Sequence, residues 1–263
     1  MRHIDGDHKL VTPYRFVIHG AIDGYSRLIV YLNGSTNNRA DTVFQLFREA
    51  TAIYNIPSRV RSDMGLENID VARFMLQTRG CNRGSIITGN SVHNQRIERL
   101  WREVNRIVVS RFLNIFIFLE NRGVFIPTDE VHLYCLHIVY LPLINAALTE
   151  FVAQWNDHLV TTETNFCPRQ MWTQGMLQLR NSNLTAVRDI VDGVPSNVED
   201  FGIEEEGPVP TSHPDLVSVP QSTVEVSYEQ ETAIQKAIAA VPLDENGITS
   251  YLTALSAFER LIE

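Results

Sequence analysis

The chain has 263 residues, and its 44% apolar content is that of a folded globular protein, which excludes disorder throughout. Its net charge of −9 argues at first against nucleic acid as a partner. The charge is uneven, because residues 196–263 hold 13 acidic and 2 basic residues, which leaves 20 basic and 18 acidic residues in the first 195. The acidity belongs to the C-terminal part, so a nucleic-acid partner for the rest is not excluded.

Three cysteines, Cys81, Cys135 and Cys167, are too few and too far apart for a disulfide framework or a Cys-x-x-Cys zinc site. We therefore expect a reducing intracellular compartment. The most apolar window, residues 131–143, is shorter than the roughly 18 residues of a membrane span, which predicts a buried helix and no membrane partner. The first candidate site residue, Asp5, lies so near the start that we expect a truncated or fragmentary gene product.

The first half of the chain alternates between patterns typical of strands and of helices. Two apolar runs within residues 15–33, separated by Asp23 and Gly24, predict a hairpin. A helix with period 3.6 follows and must end near Pro57. A short strand then closes at Asp63, and a further helix and strand complete the order βββαβαβ, which indicates a mixed α/β fold.

Residues 91–112 are predicted to form a helix with two distinct faces. At 100° per residue, six large apolar side chains fall on one face. The other face carries Glu98, Arg99, Arg102 and Arg106. The arginine face has two readings that the sequence leaves open, a solvated helix surface or a surface that contacts DNA phosphates.

The C-terminal half is predicted to begin with a long helix, capped by Thr128 and running towards Trp155. After Val194 the composition shifts to Pro, Ser, Glu and Gly, which bury too little apolar surface to fold. We predict three regions: a core over residues 1–180, an acidic disordered linker over 181–232, and a small helical tail over 233–263.

Three carboxylates are placed at the ends of predicted elements: Asp5 on a first strand, Asp63 closing another, and Glu98 on the helix that follows. Two-metal phosphoryl transfer needs carboxylates that converge from separate elements, because the ions must clamp both the attacking and the leaving oxygen. Asp7 is a rival for Asp5, or a residue that supports the metal ligands from behind. Glu67 either contacts the site or begins the next helix, and we favour the helix start.

The motifs around these carboxylates resemble the integrase core (DDE) domain of retroviral integrases and related transposable elements, over most of residues 3–176. Thirty-four residues separate Asp63 from Glu98, close to that family's spacing. Met64 and Gln95 depart from its usual residues. The segments that carry the resemblance are His3-Ile-Asp-Gly, Ile-Asp-Gly-Tyr-Ser-Arg27, Arg61-Ser-Asp-Met-Gly-Leu-Glu-Asn, Ser91-Val-His-Asn-Gln-Arg-Ile-Glu-Arg, Trp155-Asn-Asp-His and Cys167-Pro-Arg-Gln-Met-Trp.

The resemblance implies a ribonuclease H-like α/β fold, a mixed five-stranded sheet flanked by helices, with a helical C-terminal extension. It implies two Mg²⁺ or Mn²⁺ ions, one held by Asp5 and Asp63 and the other by Asp5 and Glu98. It further implies cleavage and strand transfer in DNA integration, and descent from transposable elements found in animal and fungal genomes. The residues expected to contact DNA are Asn94, Arg99, Arg102 and Arg106.

Two other functions remain open for this fold: a catalytically inactive nucleic-acid-binding or scaffolding protein, and a metal-dependent nuclease without strand transfer. The expected partners are DNA, a second copy of the chain if it is active, and a protein bound by the acidic tail. A nuclear location is favoured over the cytoplasm.

Overall fold

The structure is a computed structural model that describes residues 1–63, 65–81, 83–89, 94–160, 165–178, 217–242 and 244–262. Five strands form one sheet in the order β3-β2-β1-β4-β5. The first three strands pair antiparallel, and β1, β4 and β5 pair parallel, which confirms the predicted mixed sheet. The strands are β1 Arg2–Asp7, β2 Val17–Asp23, β3 Ile29–Ser35, β4 Val60–Ser62 and β5 Ile86–Thr88.

The predicted turn between β2 and β3 is built around Asp23. Its Oδ2 accepts hydrogen bonds from the backbone N–H groups of Tyr25 and Ser26 and from the hydroxyl of Ser26. This is the local use of an aspartate that favours turns. Asp23 thus has the structural role that its position in the sequence suggests.

Helices cover both faces of the sheet. On one face, α1 (Ala40–Tyr54) and α2 (Ile69–Arg79) enclose a core that includes Ile4, Val60 and Ile86 of the strands. On the other face, β2 and β3 pack against α3 (Gln95–Val104), α4 (Ser110–Asn121) and α5 (Glu130–Asp157). Because β1 and β4 run parallel, their carboxyl ends lie at the same edge of the sheet.

The helix predicted over residues 91–112 begins at Gln95 within the described chain and continues to Asn121. Residues 91–93 of that prediction lie outside the described residues. A π-helical turn, Asn105–Val109, separates α3 from α4. Such single π turns occur often at functional sites, and this one brings Asn105 to β1, as described below.

The long helix α5 begins one residue later than expected. Asp129, not Thr128, is its N-cap, because Oδ1 of Asp129 accepts from the backbone N–H groups of Val131 and His132. The predicted position of the cap was therefore wrong by one residue. Asp129 is a better N-cap than Thr128 because its charged oxygen also interacts favourably with the helix dipole.

By length and mean hydropathy (1.6), α5 is the one helix among the described residues that could cross a membrane. Its packing against β3 and α8 is that of a core helix. Two of its asparagines also pair with the backbone of the edge strand β3. Asn145 bonds to both the N–H and the C=O of Gly34, and Asn156 does the same at Ile29. These side chains occupy edge groups that would otherwise be open to another strand.

After α6 (Pro168–Gln178), two helices, α7 (Tyr228–Ala239) and α8 (Ile248–Ile262), pack against the core. The predicted linker over 181–232 lies outside the described residues as far as 216. Its described part is tied to the core, since Asn38 donates to the carbonyl of Val217 and the N–H of Thr223 donates to Glu130. Helix α7 begins five residues before the predicted tail, where Ser227 and Gln230 form a capping box.

Candidate active site

Asp5 lies on β1, the central strand, and its half-buried side chain points towards α3. Its Oδ2 accepts a hydrogen bond of 2.9 Å from the indole Nε1 of Trp101. Burial raises the pKa of Asp5 to about 7, the negative charge of Asp63 adds to the increase, and the indole N–H opposes it. The indole therefore holds the Asp5 carboxylate in one orientation, while burial and the charge of Asp63 favour its protonated form.

Trp101 reaches Asp5 because β2 has a glycine where the indole ring lies. A Cβ at Gly20 would be 2.6 Å from Cη2 of Trp101 and 3.2 Å from Cζ2, which is closer than side chains tolerate. Trp101 is itself almost fully buried. A buried indole N–H needs an acceptor, and Asp5 supplies it. Trp101 is one of the six apolar side chains on the buried face of the helix predicted from the sequence, which did not indicate its contact with Asp5.

Asp63 follows β4 and opens a tight 3₁₀ turn, Leu66–Asn68. Its Oδ1 accepts from the N–H of Gly65 at 3.3 Å and from Nδ2 of Asn68 at 3.0 Å. The same amide of Asn68 lies 3.2 Å from Oε1 of Glu67, so Asn68 bridges the two carboxylates. The turn thus holds Asp63 in place from its own side of the sheet.

Glu67 is the middle residue of this turn and lies next to the Asn68 amide that bonds to Asp63. It is buried, and burial followed by the charge of Asp63 raises the pKa of Glu67 to about 7. Its carboxylate folds back over Gly65, where a Cβ would lie 2.0 Å from Oε1. Glu67 thus lies in the turn that leads into α2, as the favoured reading expected, and its contact with the site stays a prediction.

Glu98 lies on the exposed face of α3. Burial of its carboxylate raises the pKa of Glu98, and the charges of Asp7 and Asp63 add to the increase. Arg102, one turn further along the helix, opposes it. Glu98 lines a polar groove of about 570 Å³ together with Gln95, Arg96, Arg99 and Arg102.

Asp7, the predicted rival of Asp5, is occupied by contacts within the protein. Its Oδ1 accepts from the N–H of Lys9 at 2.9 Å, and its Oδ2 accepts from Nδ2 of Asn105 in the π turn at 2.5 Å. Asp7 is buried, whereas Asp5 is only half buried. Asp7 thus fastens the carboxyl end of β1 to the helix that carries Glu98.

Two of the residues predicted to contact DNA already pair with other side chains of the protein. Asn94 is 2% exposed, bonds to Nδ1 of His3 at 2.5 Å and donates to the carbonyl of Ile4, so a DNA contact does not fit its position. It attaches the start of α3 to β1. Arg106 is exposed but forms an ion pair of 2.7 Å with Glu103. The sequence did not indicate that Asn94 is buried, because burial of a polar residue at a helix start is a tertiary feature.

Four polar atoms near the carboxyl ends of β1, β4 and β5 are buried and have no hydrogen-bond partner among the described residues. They are Nε2 of His8, Oγ of Ser62, Oγ1 of Thr88 and Oδ1 of Asn105. Buried polar atoms are almost always bonded, so such a group marks a place for water or a ligand. The charges of Asp7 and Asp63 also act on His8. The sequence did not single out these four residues for the site.

The described residues contain no group of three His, Cys, Asp or Glu side chains close enough to hold a metal ion. Their donor chemistry fits Mg²⁺ or Mn²⁺, which prefer carboxylate oxygens. Burial is the largest cause of the raised pKa of Asp5, Glu67 and Glu98, and the charge of Asp63 adds to each; a cation would relieve this repulsion. The donor types and the negative charge are compatible with a divalent ion, but the described carboxylates are not grouped closely enough to hold one.

The chain was compared with known proteins. The family model described as the integrase core domain matches residues 1–186. None of the curated proteins in the comparison matches the chain. The matched region spans all five strands and contains Asp5, Asp63 and Glu98, with the turns and helices that position them. Since it covers well over half of the 263 residues, the chain belongs to the integrase core domain family.

Proposed function

We propose that this integrase core domain cuts and joins DNA strands, with Asp5, Asp63 and Glu98 as the ligands of two divalent metal ions. The observation that carries the proposal is the influence of one carboxylate on the others. Burial is the largest cause of the raised pKa of Asp5 and of Glu98, and the charge of Asp63 adds to both, although the three residues come from three separate elements. Such an accumulation of like charge at a sheet edge is typical of a functional site rather than of a stable surface.

In the proposed mechanism, Asp5 belongs to both metal positions, which it would share with Asp63 on one side and with Glu98 on the other. When bound, the ions would supply the Lewis acidity that activates the attacking oxygen and stabilises the leaving oxygen. Trp101 holds Asp5 in orientation, and Asn68 holds Asp63. The carboxylates must move closer to one another on binding, since no described triad is closed.

The groove around Glu98 is suited to a DNA backbone. Arg96, Arg99 and Arg102 are exposed and line it, so phosphates would meet positive charge beside the proposed catalytic carboxylate. Contacts of this kind supply affinity without sequence preference. Of the arginines predicted to contact DNA, Arg99 and Arg102 are the better placed, because Arg106 is already paired with Glu103.

The proposal is tested by incubating the full chain with labelled linear DNA, a supercoiled target plasmid and Mg²⁺ or Mn²⁺. Asp63→Asn keeps the size of the side chain and removes its charge, and we expect it to lower strand transfer by about 100-fold or more. Asp70→Asn is the matched control, because Asp70 pairs only with Arg73 on the surface of α2 among the described contacts. It should retain activity.

The outcomes of this assay separate the three candidate functions. Equal strand transfer by the wild type and by Asp63→Asn would refute the mechanism. Cleavage of DNA ends without joining would identify a metal-dependent nuclease instead.

The inactive alternative also has an observation in its favour. No three described acidic side chains are grouped for a metal, and one oxygen of Asp5 is taken by Trp101. In that case the chain should bind DNA without cutting it. Arg99→Ala and Arg102→Ala should each lower the salt dependence of binding by about one ion. If the wild-type chain neither cuts, joins nor binds DNA, this alternative is excluded as well.

A further inference from the structure

A second cavity lies at the opposite end of the sheet from the carboxylates. It has a volume of about 410 Å³, within the range of small-molecule pockets, and opens beside the start of β1, the end of α1 and helix α6. Arg2, at the start of β1, lines it. Asp5 lies three residues further along the strand, which is about 10 Å at the usual rise. The cavity is therefore distinct from the proposed active site.

The walls of this cavity are mainly aromatic and aliphatic. Tyr54 and Trp172 meet edge to face with ring centroids 5.7 Å apart, and Ile56 and Met176 contribute aliphatic surface. Tyr25 is 63% exposed at the rim, where it lies against Gly175 of α6. An exposed tyrosine beside two partly buried aromatic rings offers flat apolar surface to a planar molecule.

Arg2 gives the cavity a polar component. The side chain is 1% exposed, and its Nη2 donates to the carbonyls of Tyr54 and Asn55 at 2.7 and 2.6 Å. Its Nε and Nη1 atoms are buried and have no hydrogen-bond partner among the described residues. Burial lowers the pKa of Arg2 to about 10, against the opposing charge of Asp23. Burying a guanidinium with two donor atoms unbonded lowers the stability of the fold unless an acceptor binds to them.

Asp23 does not satisfy these donors in the structure. Its Oδ2 accepts from the turn that joins β2 and β3, and its Oδ1 lies 3.8 Å from the amino group of Met1. Nε and Nη1 of Arg2 are thus left without an acceptor among the described residues. A ligand with an aromatic ring for the walls and one anionic acceptor for Arg2 matches both features.

We infer that this cavity is a binding site for a small aromatic carboxylate, which places its ring between Tyr25 and Trp172 and its carboxylate towards Arg2. The inference goes beyond the proposed DNA chemistry and does not depend on it. Because Nε and Nη1 of Arg2 are covered, the ligand must displace a neighbouring side chain slightly to reach them.

The test uses sodium benzoate as the probe and benzamide as its neutral counterpart. Both are titrated into the isotope-labelled full chain without metal, and the indole N–H signal of Trp172 is followed by NMR. We expect benzoate to shift this signal and to bind about tenfold or more tightly than benzamide, because hydrogen bonds to charged groups are the stronger ones. Asp63→Asn should bind benzoate as the wild type does, which separates this inference from the proposed catalytic site.

Substitutions then identify the residues responsible. Arg2→Met keeps the buried chain length, removes the charge and should weaken benzoate binding by about tenfold or more. Arg79→Met is the matched control, because Arg79 is a buried arginine that donates to the carbonyls of Ile56 and Pro57 in the same loop but does not line the cavity. If Arg2→Met does not fold, Tyr25→Ala serves instead, since an exposed side chain can be removed without loss of the fold.

Three results would overturn the inference. They are an unchanged Trp172 signal on addition of benzoate, binding of benzamide as tight as that of benzoate, and unaltered benzoate affinity in both Arg2→Met and Tyr25→Ala. Shifts confined to the exposed arginines of α3 would indicate a surface ion effect and would count against the site in the same way.

Discussion

At the scale of single residues, Trp101 and Gly20 together set the position of the Asp5 carboxylate. The indole ring fills the space that a side chain at residue 20 would need, and its N–H points at Asp5. Neither contact is visible in the spacing of the sequence, because Trp101 is 96 positions from Asp5. The orientation of a proposed metal ligand therefore depends on a glycine in a different strand.

Gly20→Ala is expected to displace Trp101 and to lower the free energy of unfolding by about 1–3 kcal/mol, because the indole is enclosed and cannot move without strain. Chemical denaturation measures the change. Gly175→Ala is the control: its Cβ would meet only the exposed ring of Tyr25, and alanine stabilises a helix relative to glycine by about 0.5–1 kcal/mol. Equal losses in the two variants would show that Gly20 has no special role.

The raised pKa of Asp5 predicts how stability depends on pH. An aspartate in the unfolded chain has a pKa of about 3.9, and in the folded protein burial and the charge of Asp63 raise it to about 7. The native state therefore holds this proton more tightly, is favoured at low pH, and loses stability as the pH rises from about 4 to about 7.

Asp5→Asn removes this loss and should exceed the wild type in unfolding free energy by about 1–3 kcal/mol above pH 7, with the difference vanishing towards pH 4. Urea unfolding in the presence of a chelator at a series of pH values measures it. Asp70→Asn, on the surface of α2, should follow the wild-type curve. Parallel curves for Asp5→Asn and the wild type would contradict the prediction.

At the scale of elements, two turns that depart from α-helical geometry position side chains around the proposed site. The π turn Asn105–Val109 interrupts a run of helix from Gln95 to Asn121 and presents Asn105 to Asp7. On the other side of the sheet, the 3₁₀ turn Leu66–Asn68 holds Asp63 and Glu67 beside each other. The 3₁₀ turn thus supports the proposed ligand Asp63 directly, and the π turn supports Asp7, two residues from Asp5 on β1.

The N-cap of α5 offers a direct comparison between neighbouring residues. Asp129→Ala should cost about 1 kcal/mol of stability, because it leaves the N–H groups of Val131 and His132 without their acceptor. Thr128→Ala should cost little, since Thr128 is exposed and lies outside the cap. Thermal unfolding of the two variants distinguishes them. A larger loss of stability in Thr128→Ala would show that Thr128 is the N-cap, as the sequence suggested.

At the scale of the whole molecule, the C-terminal helices are part of the main core. Tyr251 and Ala254 of α8 and Ile234 of α7 are fully buried against it. The hydroxyl of Tyr251 lies 3.1 Å from Nδ1 of His132 in α5, and Tyr140 of α5 donates to the carbonyl of Asn246. An acidic region that looks independent in composition therefore contributes apolar surface to the same core as the sheet.

Tyr251→Ala should consequently lower the free energy of unfolding by about 3–5 kcal/mol, the usual cost of removing a large buried side chain. Leu252→Ala, next along α8 but 45% exposed, should change it little. Denaturation followed by fluorescence should show one transition in the wild type. A second transition, which Tyr251→Ala shifts alone, would mean that the tail unfolds independently of the sheet.

The sequence by itself determined the mixed sheet, the hairpin around Asp23 and the elements that carry Asp5, Asp63 and Glu98. These features follow from the period of apolar residues and from local turn chemistry, which act over a few neighbouring positions. Only the tertiary structure decided that Asn94 is buried and that Trp101 bonds to Asp5. It also decided that Arg2 lines a cavity and that α8 packs on α5. These depend on contacts between residues far apart in the chain, and no local pattern records which side chains meet.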